Sequence, residues 1–503
     1  MAEIGSLIDG FSVALTWYNI GLMFIGVVLG VIVGVLPGLG GANGIAILLP
    51  ITFTMPPTSA IIMLSCIYWG SLFGGAITSI LFNIPGCSWS VATTFDGHPM
   101  AQRGRADEAL TTSFTSSFIG ALFAIVLITF LAPVIAHFAL RFGPAEFFAV
   151  FFLTFASFLG MGKDNAWKTV AAMCLGFSIG CVGMDQVTGQ LRLTFGEEKL
   201  LKGIHFLVAV IGLFGIGEIL ATVEHGLRFH GIKAKIRLNA VLATWKKLFA
   251  HWSLFLKSSI LGSWMGITPG GATPASFMAY GLAKQFSKNG DNFGKGEIEG
   301  VIAPETANNA AGTSALLPML TLGIPGSPTA AVLLGGLMIW GLQPGPMLFV
   351  EQKDFVWGLI SSMYLGNLAA LIVCLTCVPL FAAILMAPFS MVAPTVLIIC
   401  SIGAYTINQS MFDVYLMLMF GVVGYVLTKL KYPLAPLVLA IVIGDKAEEA
   451  FRQSLLSSQG SLSIFWSNWL VSILMAMGLA LAFLPLYRGF LPSRSKAKAA
   501  PAE

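Results

Sequence analysis

The sequence predicts an all-α polytopic membrane protein, with about 10–12 transmembrane helices arranged as two inverted repeats. Of its 503 residues, 56% are hydrophobic and only 10% are charged, whereas a soluble domain is about 25% charged. Residues 114–140 and 361–407 contain no Asp, Glu, Lys or Arg. Each of these stretches exceeds the roughly 20 residues that a spanning helix needs. A third observation, a glycine–proline interruption of apolar sequence in both halves of the chain, predicts the repeats.

The apolar segments predict the helices in order, with charged, proline or glycine residues near their ends. They are 12–36, 44–54, 58–82, 110–140, 144–160, 166–184, 203–222, 253–268, 274–283, 301–322, 330–349, 355–387, 390–408, 411–430, 434–444 and 461–487. The short segments 44–54 and 274–283 each follow an interruption. We therefore expect broken helices and re-entrant hairpins at these two places.

The distribution of basic residues predicts the orientation of the chain. Residues 224–251 contain six Lys or Arg and one acidic residue, and the tail is also basic. Such loops tend to stay in the cytoplasm. The predicted organisation is a first membrane repeat at 1–222, a basic cytoplasmic loop at 223–252, a second membrane repeat at 253–459, a final transmembrane helix at 460–487 and a cytoplasmic tail at 488–503. Since topology explains the basic clusters, we expect no nucleic-acid partner.

Four interruptions break the apolar sequence, two in each half. Interruption 1 is Pro37–Asn43, interruption 2 is Asn83–Ser88, interruption 3 is Pro269–Thr273 and interruption 4 is Gly323–Pro328. Interruptions 1 and 3 begin 232 positions apart, and interruptions 2 and 4 begin 240 positions apart. Proline and glycine break helices, and broken helix at membrane depth is tolerated where it is buried in protein or lines a wet cavity. Paired breaks in two halves indicate the substrate site of a secondary transporter.

The broken helices offer backbone groups to charged ligands. A helix N-terminus presents N–H groups that suit a carboxylate, and a C-terminal break presents carbonyl oxygens that suit sodium. Glycines at interruptions 1 and 3 permit close approach, while Asn43, Thr273, Ser327 and Thr329 add oxygens or donors. Kinks in buried helices, with no ligand, are the alternative interpretation.

The segment Ala303–Thr313 is the densest polar patch of the second half. Asn308, Asn309 and Thr313 are candidates for binding a substrate or an ion. Glu305 follows Pro304, which suits a first helical turn, so an acid that complements the helix dipole is the preferred interpretation. An ion-coupling role for Glu305 is the sharper alternative.

The sequence gives no sign of an enzyme or of a cofactor. No phosphate-binding loop, zinc motif or nucleophile elbow is present, and the seven cysteines lie in or beside apolar segments, where packing explains them. Gly26, Gly30 and Gly34, spaced four apart, predict close helix packing. A membrane enzyme acting on lipid-linked substrates or a passive scaffold would leave the paired interruptions unexplained. An anion channel or facilitator without ion coupling stays open as the alternative to a transporter.

Several of these motifs resemble one family. Interruption 1, Pro269–Thr273, Pro304–Gly312 and Leu322–Ser327 are similar to the large membrane subunit of tripartite tricarboxylate transporters, the TctA family. The resemblance implies a bacterial inner-membrane symporter for a di- or tricarboxylate such as citrate, driven by sodium. It also implies a small four-helix membrane subunit (TctB-like), a periplasmic solute-binding protein (TctC-like) and an elevator motion.

Candidate site residues follow from the interruptions and the resemblance. For the substrate they are Gly40, Gly41, Asn43, Gly270, Gly271, Thr273, Asn308, Asn309 and Ser327. For the ion they are Pro37, Gly38, Asn83, Pro85, Gly86, Thr313, Pro325, Gly326 and Thr329. Sodium is the expected coupling ion, with protons as the alternative. When the two halves are compared, Asn83 corresponds to Gly323 and Ser88 corresponds to Pro328. Because these residues differ, we expect an asymmetric site.

Overall fold

The computed structural model describes residues 2–36, 39–161, 165–185, 188–225, 232, 236–268, 271–384 and 389–490. The first ten helices are α1 Ala2–Ala14, α2 Trp17–Val35, α3 Gly40–Leu48, α4 Pro57–Phe82, α5 Val91–Gln102, α6 Ala106–Ala139, α7 Pro144–Met161, α8 Ala166–Gly180, α9 Phe206–Val210 and α10 Gly217–His225. A π-helical turn, Ile211–Ile216, joins α9 to α10. Strands β1 Gly183–Met184 and β2 Leu191–Arg192 form one short antiparallel pair.

The remaining helices belong to the second half of the chain. They are α11 Leu238–Leu248, α12 Trp252–Ile267, α13 Ala272–Phe286, α14 Glu299–Ser314, α15 Leu316–Leu322, α16 Pro328–Ile339, α17 Leu348–Glu351, α18 Lys353–Ile384, α19 Phe389–Asn408, α20 Met411–Lys429, α21 Leu434–Ser457 and α22 Trp469–Phe490.

The prediction of an all-α membrane protein is confirmed at the level of fold class. Helices form 82% of the structure, and six described helices are long and apolar enough to cross a membrane: α2, α4, α6, the continuous helix 206–224, α18 and α20. Shorter apolar helices accompany them, including α3, α7, α8 and α16. The fold therefore combines full-length spans with broken ones.

Several predicted boundaries differ from the structure for local reasons. The segment 12–36 is divided, because the Thr16 hydroxyl accepts from Asn19 and begins α2 at Trp17. The segment 301–322 is divided near Ala315 into α14 and α15. The segment 330–349 ends its helix at Ile339, since Gly341 turns the chain with a φ of 71°. The segment 434–444 continues as helix to Ser457.

The chain packs as two compact units. Unit 1 comprises Met1–Arg141 and Ile204–Leu430, and unit 2 comprises Phe142–Gly203 and Lys431–Glu503. Unit 1 contains all four interruptions. Unit 2 packs α7 and α8 with α21 and α22, and a buried Asp185 joins Arg192 and Arg452, which both also pair with Glu448.

Glycines set the closest helix contacts of unit 1. Gly26, Gly30 and Gly34 of α2 lie directly against backbone carbonyls of α4, so a side chain there would overlap the neighbouring backbone. This confirms the close packing predicted from their spacing. The second half repeats the contact: Gly262 and Gly266 of α12 lie against carbonyls of α14.

A second pair of contacts joins the two halves. Gly120 of α6 lies against the carbonyl of Thr306 in α14. Gly366 of α18 lies against Cys66 of α4, where an added Cβ would be 2.8 Å from the sulfur. The long helix α6 of the first half therefore packs onto α14 of the second half, and the long helix α18 of the second half packs onto α4 of the first half.

Candidate functional site

Each interruption leaves the start of a helical segment beside it. α3 begins at Gly40, whose φ of 57° favours glycine. α13 begins immediately after Gly271, and α16 begins after Ser327, whose hydroxyl accepts a hydrogen bond from the Ala330 amide (3.1 Å). After interruption 2 a short 3₁₀ turn leads into α5. The first N–H groups of a helix have no partner within the helix, so such starts favour negative charge nearby.

Interruptions 2 and 4 have the same backbone conformation. The C-cap residues of α4 and α15, Asn83 and Gly323, are both left-handed, with φ of 57° and 71°. Beyond them, Cys87 and Ser327 are extended N-cap residues with φ of −138° and −152°. The spacing of 240 positions predicted from sequence thus corresponds to equivalent turns.

Interruptions from opposite halves meet in unit 1. The hydroxyls of Ser88 (interruption 2) and Thr273 (interruption 3) are 2.8 Å apart. Gly41 lies beside the Ser71 hydroxyl and beside Thr329, which directly follows interruption 4. The Cys87 side chain also reaches the backbone of Gly41, which joins interruptions 1 and 2. Because Ser88 is exposed and Thr273 half-buried, this meeting point reaches the protein surface.

Two aromatic residues of α4 bind the second half, and the sequence analysis missed them. The Tyr68 hydroxyl donates to the Gly312 carbonyl (3.0 Å) and lies 3.4 Å from the Ser327 hydroxyl. The Trp69 indole donates to the Thr313 hydroxyl (3.3 Å). The sequence contained a signal that could have identified these two residues. Tyr68 and Trp69 precede the candidate residues Asn308 and Asn309 by 240 positions, which is also the offset between interruptions 2 and 4.

The predicted capping role of Glu305 is wrong. α14 begins at Glu299, so Glu305 lies about two turns inside the helix, where no free N–H groups remain. Its carboxylate is fully buried and accepts hydrogen bonds from Thr93 of α5 and from Ser117 of α6 (2.9 Å). The sequence analysis placed Pro304 at a first turn, whereas it lies inside the helix.

Asn308 and Asn309 are also fully buried in α14. The Asn309 amide donates to Asn308 Oδ1 (2.6 Å) and to the backbone carbonyl of Glu305 (3.1 Å). Asn308 Nδ2 and Asn309 Oδ1 have no hydrogen-bond partner among the described residues. The two side chains thus form one polar cluster with Glu305.

The other predicted residues lie at or near the interruptions. Asn43 is buried on α3, and Thr313 and Thr329 are buried on α14 and α16. Pro85 is half-buried, and Gly86, Pro325 and Gly326 are buried. Gly86 and Gly326 lie in equivalent contacts, against the carbonyls of Gly34 and Gly266. Three predicted residues, Pro37, Gly38 and Gly270, lie outside the described part of the chain.

The side chains and helix starts at the interruptions belong to chemical classes that bind ions. Within the residues that the structure describes, no group of three or more His, Cys, Asp or Glu side chains is placed to hold a metal ion. The site offers helix N-termini, hydroxyls and amides, which are ligands for anions and for hard cations.

Comparison with known proteins identifies relatives across nearly the whole chain. The profile described as "Tripartite tricarboxylate transporter TctA family" matches residues 20–439. An Agrobacterium vitis protein described as an uncharacterized 52.8 kDa protein in the TAR-I ttuC' 3' region is 39% identical over 498 residues, 99% of each chain. Another from that organism, from the TAR-II ttuC' 3' region, is 41% identical over 237 residues, 47% of this chain and 96% of its own. No solved structure matches.

Proposed function

This chain belongs to the tripartite tricarboxylate transporter TctA family, and from that premise we propose that it imports a di- or tricarboxylate by sodium symport. It is a membrane component of such a system, and family membership gives no indication of an enzyme. In the proposal, a TctC-like periplasmic binding protein delivers the substrate across a bacterial inner membrane, and a TctB-like small subunit completes the complex.

The observation that carries the proposal is the meeting of interruptions from opposite halves. Ser88 contacts Thr273, and Gly41 lies beside Thr329. Helix N-termini therefore converge where an anion can be stabilised without a buried Lys or Arg. Removing a carboxylate from water without such partners is very costly.

The recurrence of contacts at fixed offsets supports two structural repeats. Gly34 lies against the Ser71 carbonyl, and Gly266, 232 positions later, lies against the Ala311 carbonyl, 240 positions after Ser71. In our proposal the repeats are inverted, and the helices that carry the interruptions move together as the transport domain of an elevator. In this proposal the repeats span residues 1–222 and 253–459.

Uptake by reconstituted protein tests this function. The chain, with its small subunit and substrate-loaded binding protein, is placed in liposomes with sodium outside and potassium inside. We expect labelled citrate to accumulate above its external concentration and accumulation to stop when sodium is equal on both sides. The control is an imposed proton gradient without sodium.

Three results would contradict parts of the proposal. Flux that never exceeds equilibrium would indicate an anion facilitator. Accumulation driven by the proton gradient would replace sodium as the coupling ion. If no di- or tricarboxylate in a test panel is transported, and another organic anion is transported instead, the proposed substrate class is wrong.

A further inference from the structure

The carboxylate of Glu305 lies among buried polar side chains of three helices, a cluster that we call the chamber. Thr93 of α5 donates to one carboxylate oxygen and Ser117 of α6 donates to the other, at 2.9 Å. Glu305, Thr93 and Ser117 are all fully buried. The chamber is therefore built from α5, α6 and α14, and its walls exclude water.

The described residues supply no positive charge to this carboxylate. Within the described chain, Glu305 forms no ion pair with Lys, Arg or His. A second buried acid, Asp96 of α5, is already held by the Tyr280 hydroxyl and by the backbone amides of Gly294, Gly296 and Glu297. Burying a carboxylate without a countercharge is costly, so a bound cation or a proton would stabilise Glu305 beyond what its hydroxyl donors provide.

Two further polar side chains lie close to the carboxylate. The Ser113 hydroxyl and the Asn308 amide lie within its hydrogen-bonding environment, and neither Ser113 Oγ nor Asn308 Nδ2 has another hydrogen-bond partner among the described residues. A proton on Glu305 would satisfy one acceptor, whereas an oxygen-seeking cation uses several acceptors at once.

Helix packing does not explain this polarity, because the same contact is apolar in the other half. The Gly120–Thr306 contact corresponds to Gly366–Cys66, at offsets of 246 and 240 positions. At these offsets the residues Thr93, Ser113, Ser117 and Glu305 correspond to Leu333, Leu359, Met363 and Ser65, all of them buried. The molecule thus shows that the equivalent contact packs closely with one polar side chain, Ser65, and three apolar ones at these positions.

We propose that the chamber is a sodium-binding site, with Glu305 as its anionic ligand and the hydroxyls of Thr93, Ser113 and Ser117 as neutral oxygen ligands. Carboxylate and hydroxyl oxygens are the ligands that hard cations prefer. The Asn308 amide turns its oxygen to the ion when the ion is bound. This inference rests on the proposed ion coupling and adds a site separate from the interruptions.

The location gives a physical basis for coupling. Asn309 bonds the backbone of Glu305, and Gly312 and Thr313, about one turn further along α14, are bound by Tyr68 and Trp69. An uncompensated carboxylate here disfavours an anionic substrate nearby. Sodium neutralises Glu305 and removes this repulsion, so each ligand increases the affinity of the other.

Binding of radioactive sodium to the purified full chain tests the site. We expect saturable binding that unlabelled sodium displaces, and Glu305→Gln should weaken it by at least about 100-fold, because a contact between opposite unit charges is removed. Glu299→Gln, in the first turn of the same helix and partly exposed, is the matched control and should change binding less than about twofold.

A second variant guards against a folding defect. Ser113→Ala removes one of several buried hydroxyls beside Glu305, so it should lower the thermal midpoint without sodium by only a few degrees. It should also lower sodium affinity by about tenfold, since one ligand is lost. A merely structural role for Ser113 predicts no change in sodium affinity, and that result would contradict the site.

The outcomes separate this inference from the proposed function. Wild-type sodium binding that Glu305→Gln and Ser113→Ala leave intact overturns the chamber site, while sodium-driven uptake would still stand. The absence of any sodium binding by the wild-type chain, with proton uptake on acidification that Glu305→Gln abolishes, also overturns it. Glu305-dependent sodium binding without sodium-driven uptake supports the site and contradicts the proposed symport.

Discussion

The α6–α14 contact and the α4–α18 contact have similar backbone packing and opposite chemistry. Both are set by a glycine, Gly120 or Gly366, lying against the partner helix. Where α14 presents Asn308 and Asn309, α4 presents Tyr68 and Trp69 at the equivalent positions, 240 residues earlier. The difference shows that glycines fix how the helices approach, while the residues beside them are free to specialise.

Between α4 and α14, the second half provides a carbonyl and a hydroxyl, and the first half provides the aromatic side chains that donate to them. Tyr68 and Trp69 donate to Gly312 and Thr313, which continue the helix that carries the asparagines. Mutations at equivalent positions should therefore have unequal effects, and four pairs test this expectation.

The largest expected effect is at Gly271. A Cβ there would overlap the carbonyl of Met265, whereas the equivalent position of the first half, 232 residues earlier, already carries the half-buried Leu39. We expect Gly271→Val to reduce uptake to background while the protein stays in the membrane, and Leu39→Val to retain uptake within about twofold. Normal uptake by Gly271→Val would contradict the close approach.

The second pair compares Glu305 with its counterpart Ser65. Glu305→Gln should reduce sodium-driven uptake by at least about 100-fold, because the anionic ligand is lost from a buried site. Ser65→Ala should change it less than about twofold. Uptake rates measured across a range of sodium concentrations check both variants. Equal effects of the two substitutions would contradict the expected functional asymmetry between the halves.

The third pair compares the two left-handed turns. Gly323→Asn should destabilise the protein by about 1–3 kcal/mol, because an added Cβ would lie 2.7 Å from the Pro344 carbonyl. Asn83→Gly should change the free energy of unfolding by less than about 1 kcal/mol, since both residues tolerate this conformation. Thermal unfolding in detergent measures both, and the reverse ranking would show that the turns are not equivalent.

The smallest effect is expected at the N-caps. Ser327→Ala should cost about 1 kcal/mol, since the Ser327 hydroxyl caps α16. Cys87→Ala should cost about half of that, because a thiol is a weaker acceptor than a hydroxyl. Thermal midpoints check the order, and an equal loss in both variants would indicate that the caps are interchangeable.

The sequence predicted the parts of the fold that depend on local properties. Charge-free stretches gave the long helices, and the spacing of Gly26, Gly30 and Gly34 gave the close contact with another helix, because a stripe every four residues lies on one helix face. The four interruptions were found because proline and glycine break helices wherever they lie. The offsets of 232 and 240 positions indicated which turns are equivalent.

The sequence did not indicate how Glu305 is used. Pro304 suggested a helix start, since proline suits a first turn, but the helix begins five residues earlier, at Glu299. The partners of Glu305, Thr93 and Ser117, lie 212 and 188 positions away. Nothing in the spacing of such distant residues predicts a shared chamber.

By itself the sequence determined the membrane class, the places where helices break and the residues offered at each break, because these follow from hydropathy and local backbone preference. Only the tertiary structure decided that Ser88 meets Thr273, that Gly41 meets Thr329 and that Glu305 accepts from Thr93 and Ser117. Those contacts depend on how helices far apart in the chain pack in unit 1, and packing is set by the shapes of all the contacting side chains together.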